Sequence, residues 1–275
     1  GRKGLATGVI GGAVGLSGAF LTVFVRTALK GFGPVQGIRG AFWALGALTL
    51  PVCFGGSMLL VDPPPEKPKP EQQGKGKTAP PLDLAPLQML RTKQYWLCAG
   101  AVCFSTPAVL LFSPIILKLG MERGLDETAA LWSVVLGSVG SAAGRLLMPM
   151  LSDKIGRRPT DLILFGASLG LSAAFLFAQG WAVVAVYASL TFCYSALAAV
   201  LPALSTDLFG LPHAGVNYGF LALGQSVGSL AFPFAANLWG LETGRHWLAM
   251  GGAAAGFAAI WALQPVQPPR PPKEN

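Results

Sequence analysis

A chain of 275 residues that is 52% hydrophobic and only 12% charged is not an ordinary soluble domain, in which about 25% of residues carry charge. Its net charge of +8 does not build a nucleic-acid-binding face, because Lys and Arg stand in short segments between apolar stretches, where they act as orientation signals. Composition therefore excludes a soluble fold and a nucleic-acid partner, and predicts an all-α, polytopic transmembrane helix bundle lodged in the lipid bilayer.

About 20 residues at 1.5 Å rise cross the ~30 Å hydrocarbon core. Uncharged runs of that length place spans at residues 4–25, 40–61, 94–117 and 128–152, the last interrupted only by Arg145. Residues 162–206 carry no charge over twice a span, and Gln179-Gly180-Trp181 supplies a turn and an interfacial aromatic that divide them into two helices. A seventh span covers about 215–239 and an eighth about 247–263, and no run alternates as a membrane β-strand does.

Residues 62–93 are a Pro- and Lys-rich linker with no capacity for a core, with a short surface helix expected over 82–92. The linker divides the chain into a two-helix part, 1–61, and a six-helix part, 94–264. The Pro-rich tail 265–275 is expected to be disordered. Gly1-Arg2-Lys3 has none of the features of a signal peptide, and the chain is expected to begin inside a longer protein.

Counting Lys and Arg on alternate loops puts about twice as many on the side holding both ends, the linker and Lys154-Arg157-Arg158 as on the side holding Lys118, Arg123 and Arg245. The richer side is cytoplasmic by the positive-inside rule, although Arg26, Lys30 and Arg39 run against it. Cys53, Cys98, Cys103 and Cys193 all lie in apolar segments without a CxxC pair or a His cluster, so they read as small buried hydrophobes and no metal site is expected.

Arg145 is the costly residue. A cation within a span is unfavourable by roughly 2.5–3.5 kcal/mol on insertion scales. Two readings stand. It snorkels along its own aliphatic stem to the cytoplasmic interface, about 12 Å along the helix from Asp153. Alternatively it faces a central cavity and pairs an anionic substrate, whose carboxylate suits the planar guanidinium fork. Directly after that span comes Ser152-Asp153-Lys154-Ile155-Gly156-Arg157-Arg158, where Gly156 permits a sharp turn and Arg157 and Arg158 stand within reach of helix-end carbonyls or an acidic neighbour. Gln225 is read either as a helix cross-link or as a cavity residue, while Tyr194, Asn217 and Tyr218 are read as packing or interfacial. Gly140 and Gly144, like Gly224 and Gly228, form small-xxx-small faces on which helices approach closely.

Asp-Lys-x-Gly-Arg-Arg between two spans resembles the loop signature of the major facilitator superfamily, except that Pro149 stands where the pattern usually has glycine. Gly1-Arg2-Lys3-Gly4-Leu5-Ala6-Thr7-Gly8 resembles the start of the fifth helix in oxalate/formate antiporters and monocarboxylate transporters, and Val14-Gly15-Leu16-Ser17-Gly18-Ala19 the matching piece of nodulin-like plant transporters. Met89-Leu90-Arg91-Thr92-Lys93-Gln94-Tyr95-Trp96-Leu97 is similar to the antiporter approach to the seventh helix. Asp207-Leu208-Phe209-Gly210-Leu211 with Asn217-Tyr218-Gly219 is similar to the tenth-to-eleventh connection.

The resemblance implies the major facilitator fold, with these eight spans as helices five to twelve of twelve and the first four outside this chain. It implies that Arg145 binds a substrate carboxylate, and that Asp153, Gly156, Arg157 and Arg158 form a gating loop. Gln225 falls where oxalate antiporters carry a lysine, and Ser141 where monocarboxylate transporters carry an aspartate one turn before the arginine. Substrate-binding expectations thus rest on Arg145, Gln225 and Ser141, with no catalytic residue and no cofactor. The expected activity is secondary transport of a small monocarboxylate-like anion by alternating access, as antiporter or symporter, with a proton or an exchanged anion as coupling ion. A membrane enzyme is disfavoured because the spans hold almost no His, Asp or Glu. A non-transporting receptor or truncated member of the fold stays as the alternative.

Overall fold

The computed structural model describes residues 3–32, 34–59, 83–239 and 242–264; the expected linker core and the tail lie outside the described residues. Among the described residues the structure is helical, and seven stretches are long and apolar enough to cross a bilayer. These are most of α1 (Lys3–Phe32), α2 (Pro34–Met58), the broken stretch Lys93–Glu122, α7 (Glu127–Ile155), α8 (Arg157–Phe177), α9 (Trp181–Phe209) and α10 (Ala214–Trp239). The eighth helix, α11 (Glu242–Trp261), begins with Glu242, Arg245 and His246 before its apolar part.

The chain divides into two compact units, Phe20–Ala79 on the one hand and Gly1–Ala19 with Pro80–Asn275 on the other. In the smaller unit, Pro34 opens α2 where its missing N–H costs nothing. Gly37 is packed against the preceding helix, since a Cβ there would lie 2.8 Å from the Ala28 carbonyl oxygen. Phe42, Trp43 and Phe54 of α2 are exposed, as is Cys53. The expectation of a buried thiol therefore fails at Cys53: α2 has few protein neighbours to bury it, whereas Cys98 and Cys193 are buried and Cys103 partly so.

In the larger unit α7 packs along α9, α8 along α9 and α11, and α10 and α11 on α4 (Lys93–Ser105). The span expected at 94–117 is not one helix. It breaks into α4, α5 (Pro107–Leu110), a 3-10 turn at Ser113–Ile115 and α6 (Ile116–Glu122). Pro107 and Pro114 explain the breaks, because each lacks an N–H for the helical ladder.

The short helix expected at the linker's end is also different in kind. It is α3 (Pro86–Leu90), and it is docked rather than superficial: Met89 is fully buried, Leu84 N–H donates to the Phe209 carbonyl, and the buried Asn217 amide donates to the Leu84 carbonyl.

α7 lies against α9 at backbone distance. A Cβ at Gly140 would be 2.3 Å from the Ala188 carbonyl oxygen, and one added to Gly144 would be 2.4 Å from that of Phe192. Replacing Gly144 by alanine is therefore expected to cost on the order of 1–3 kcal/mol by overpacking. It should lower the thermal unfolding midpoint of the purified protein, read by tryptophan fluorescence. Gly170→Ala, at a position with open space around it, should leave the midpoint unchanged or raise it.

Candidate functional site

α7 starts cleanly because the Asp126 carboxylate accepts from the Thr128 and Ala129 N–H groups, capping its first turn. Five turns on, Arg145 is half-buried. Its stem lies along α1: a Cβ at Gly11 would be 3.2 Å from the Arg145 Cβ and 3.7 Å from its Cδ. The Arg145 Nε is buried and has no partner among the described residues. A buried donor left unpaired costs about 1–3 kcal/mol, and more when charged.

Ser141, one turn earlier, is committed elsewhere. Its hydroxyl lies 2.6 Å from that of the buried Ser195 on α9. Thr191 on α9 donates to the Gly137 carbonyl in the same seam. Gln225 on α10 donates through Nε2 to the Tyr194 hydroxyl on α9 at 2.6 Å. Gln225 also lines a small cavity with Cys98, Ser105, Asp161, Leu197 and Leu201, and neither Arg145 nor Ser141 reaches that cavity. The structure thus places Ser141 and Arg145 on successive turns of α7 and puts Gln225 in a separate chamber.

At the end of α7 the helix runs through Pro149 to Ile155, and Gly156 makes the turn into α8 with φ of 95°, a conformation that favours glycine. Arg157 gathers three elements. It pairs with Asp153, donates to the Ser152 hydroxyl and to the Pro149 carbonyl, and approaches the Asp207 carboxylate near the end of α9 at 3.5 Å. The proline that replaces glycine therefore offers its carbonyl to this loop. Arg158 donates to the Ile260 and Trp261 carbonyls at the end of α11. Free helix-end carbonyls carry the negative pole of the helix, so a guanidinium is well placed there.

At the opposite end of α7, Arg123 ties a second set of ends together. Its guanidinium donates to the Phe175 and Ala178 carbonyls and to Nε2 of His246, 3.2 Å away on α11, and it lies over the Phe175 ring. Because a guanidinium has no acceptor, the His246 Nε2 accepts and its ring is neutral in this contact. Burial pushes the Arg123 guanidinium below its usual value, against the pull of neighbouring Glu122. A cavity of about 470 Å³ opens beside it, walled by Phe112, Lys118, Arg123, Arg245 and His246 among others.

Sequence reasoning missed Asp161. α8 begins at Arg157, so position 161 is already a full turn inside the helix, and the residue is buried with one carboxyl oxygen lacking a partner among the described residues. The helix start just after Gly156 was the signal available.

Comparison with known proteins accords with this arrangement. The model of the Major Facilitator Superfamily matches residues 1–160 and again 111–275. An uncharacterized MFS-type transporter, YhjX of Escherichia coli (strain K12), is 31% identical over 232 residues, covering 83% of this chain and 56% of that protein. The oxalate:formate antiporter of Oxalobacter formigenes is 26% identical over 238 residues, covering 83% of this chain and 53% of that protein. The multidrug transporter QDR2 of Candida glabrata is 28% identical over 172 residues, covering 59% of this chain and 29% of that protein. The chain spans about half the length of the first two relatives. Matched from end to end by that family model, and by a 31% identical relative over most of its length, the chain belongs to the Major Facilitator Superfamily.

Proposed function

We propose that the protein is a secondary active transporter of a small, monocarboxylate-like organic anion, working by alternating access. The observation that carries this reading is Arg145: a half-buried cation in an apolar helix whose Nε has no partner among the described residues. A fixed donor of this kind is stabilised when a carboxylate arrives, through charge-assisted hydrogen bonds in the guanidinium plane. Similarity to an oxalate:formate antiporter supports an organic anion. By the resemblance above, Gln225 stands where oxalate antiporters carry a lysine, and the absence of that second cation favours a monoanion over a dianion.

In this reading the Asp153–Arg158 loop faces the cytoplasm, with both chain ends and the 62–93 linker on the same side, and the linker joins the 1–61 helices to the 94–264 bundle. The loop acts as a gate element. Its contacts join the α7–α8 turn to the ends of α9 and α11 in the state seen here, and a contact made in only one of two states biases the equilibrium between them. The coupling ion is a proton or an exchanged anion.

Uptake of labelled formate, lactate, pyruvate and oxalate into vesicles containing the intact protein tests the role of Arg145. Arg145→Ala is expected to lower uptake efficiency roughly 10–150-fold, the worth of hydrogen bonds to a charged group at about 1.5–3 kcal/mol. Arg145→Lys should restore part of it, since lysine keeps the charge without the fork. Undiminished uptake in both variants removes Arg145 from the substrate site.

The gate role has its own readout. In a cysteine-free background, Ser205→Cys introduces a thiol at a position buried in this state. Adding Arg157→Ala should speed its alkylation several-fold, as the population shifts toward the open form. Equal alkylation rates would separate the loop from gating.

A further inference from the structure

Asp161 is a buried carboxyl for which neither packing nor the anion site accounts. It is 4% exposed, and its Oδ1 has no partner among the described residues. It lies on α8 in a cavity whose other walls are almost wholly apolar: Ala101 and Val102 of α4, Phe165 of α8, Leu197, Leu201 and Leu204 of α9, and Ile260 of α11. The cavity has about 20 Å³ of room, enough for one water molecule.

The polar and titratable groups around Asp161 are few. From α4 comes the Cys98 thiol, with Ser105 further along; from α10 comes the Gln225 amide. From α9 and α11 the walls carry no ionisable side chain. On α8 itself, Arg157, one turn before, is the cation that acts on Asp161, and its head is bound to Asp153 of α7 and approached by Asp207 of α9. A carboxyl so placed has no fixed counter-ion of its own.

We propose that Asp161 is a proton-carrying group, and that substrate movement is coupled to a proton through the cavity Asp161 shares with Gln225. This rests on the transport reading above and deepens it by naming the coupling ion. The proton comes from water that enters the cavity, binds a carboxylate oxygen of Asp161, and returns to water on the other side of the membrane when the bundle has switched. One proton travels with one monoanion, so the charge moved is zero. Gln225 brings α10 into that cavity and is fixed to Tyr194 on α9, so movement between α9 and α10 is felt beside Asp161. The Arg157 guanidinium that binds the gate loop is also the one acting on Asp161, so loop opening is felt at the carboxyl.

The test uses vesicles containing the intact protein, with labelled pyruvate, lactate or formate, and protein-free vesicles to subtract diffusion of the free acid. Two quantities are read: exchange of labelled for unlabelled acid at equal pH, and accumulation driven by a pH gradient. With one proton per anion, a one-unit gradient supports roughly tenfold accumulation in the wild type. Asp161→Asn is expected to keep exchange and lose gradient-driven accumulation, and Asp161→Glu, which keeps a carboxyl, to keep both. Accumulation that survives in Asp161→Asn, or exchange that falls as far as accumulation does, overturns the assignment while leaving transport standing. A wild type that neither exchanges nor accumulates any of these acids overturns the transport reading, and the coupling with it.

Discussion

The arrangement around Arg145 depends on how closely α7 lies against α9. With no side chain at Gly140 or Gly144, carbonyl oxygens of α9 occupy the space where Cβ atoms would be. Once the backbones are this close, short polar side chains reach across: Thr191 bonds the Gly137 carbonyl, and Ser141 meets Ser195. In an apolar solvent such bonds replace the hydrophobic drive that packs soluble helices. The residue after Gly144 is turned by about 100° on the helix, out of this seam. That residue is Arg145, and its stem lies instead on Gly11 of α1, another position without a side chain. The glycines thus leave a long cation half-buried without giving its Nε a partner among the described residues.

The two ends of α7 are held by guanidinium groups of different character. Arg123 is bound to backbone carbonyls of Phe175 and Ala178 and to a buried histidine. Arg157 is bound to the Asp153 and Asp207 carboxylates, whose side chains are 51% and 60% exposed, and also to the buried Ser152 hydroxyl and the Pro149 carbonyl. Exposed ion pairs contribute typically 0–1 kcal/mol and are screened by salt. The Arg123 end thus rests on carbonyls and a ring nitrogen, whereas the Arg157 end adds two ion pairs that salt can screen.

Much of the fold was legible in the sequence because the membrane imposes simple rules. Uncharged length marked the spans, and Gln179-Gly180-Trp181 marked the break between α8 and α9. Interruptions inside a span were not legible from charge alone. Pro107 and Pro114 fragment the stretch after α4, while Pro149, Pro202 and Pro233 sit within continuous helices. Proline alone does not decide a break: Pro149 lacks the N–H that would meet the Arg145 carbonyl, yet α7 continues through it. The site shows the same limit. Arg145, Ser141 and Gln225 could be named from type and position, but their partners could not, since Ser195 and Tyr194 are distant in sequence. Docking of α3 escaped notice for the same reason: Leu84 meets Phe209 and Asn217 only after the chain has folded.

Asp161 and Arg145 together constrain what the bundle is built to do. They are an acid and a cation within one compact unit, and a salt bridge between them would satisfy both. They are instead kept apart, since the cavity holding Asp161 is walled by leucines of α9 and has no contact with Arg145. A fixed salt bridge between them would lock the helices and leave neither group for anything mobile. Held apart, each keeps an atom without a protein partner among the described residues, the Nε of one and the Oδ1 of the other. An unpartnered cation in an apolar span is relieved by a small anion, and an unpartnered carboxyl by a proton. In the proposed cycle both ligands are mobile and together carry no net charge, and the separation of the two residues is what would let each site fill and empty.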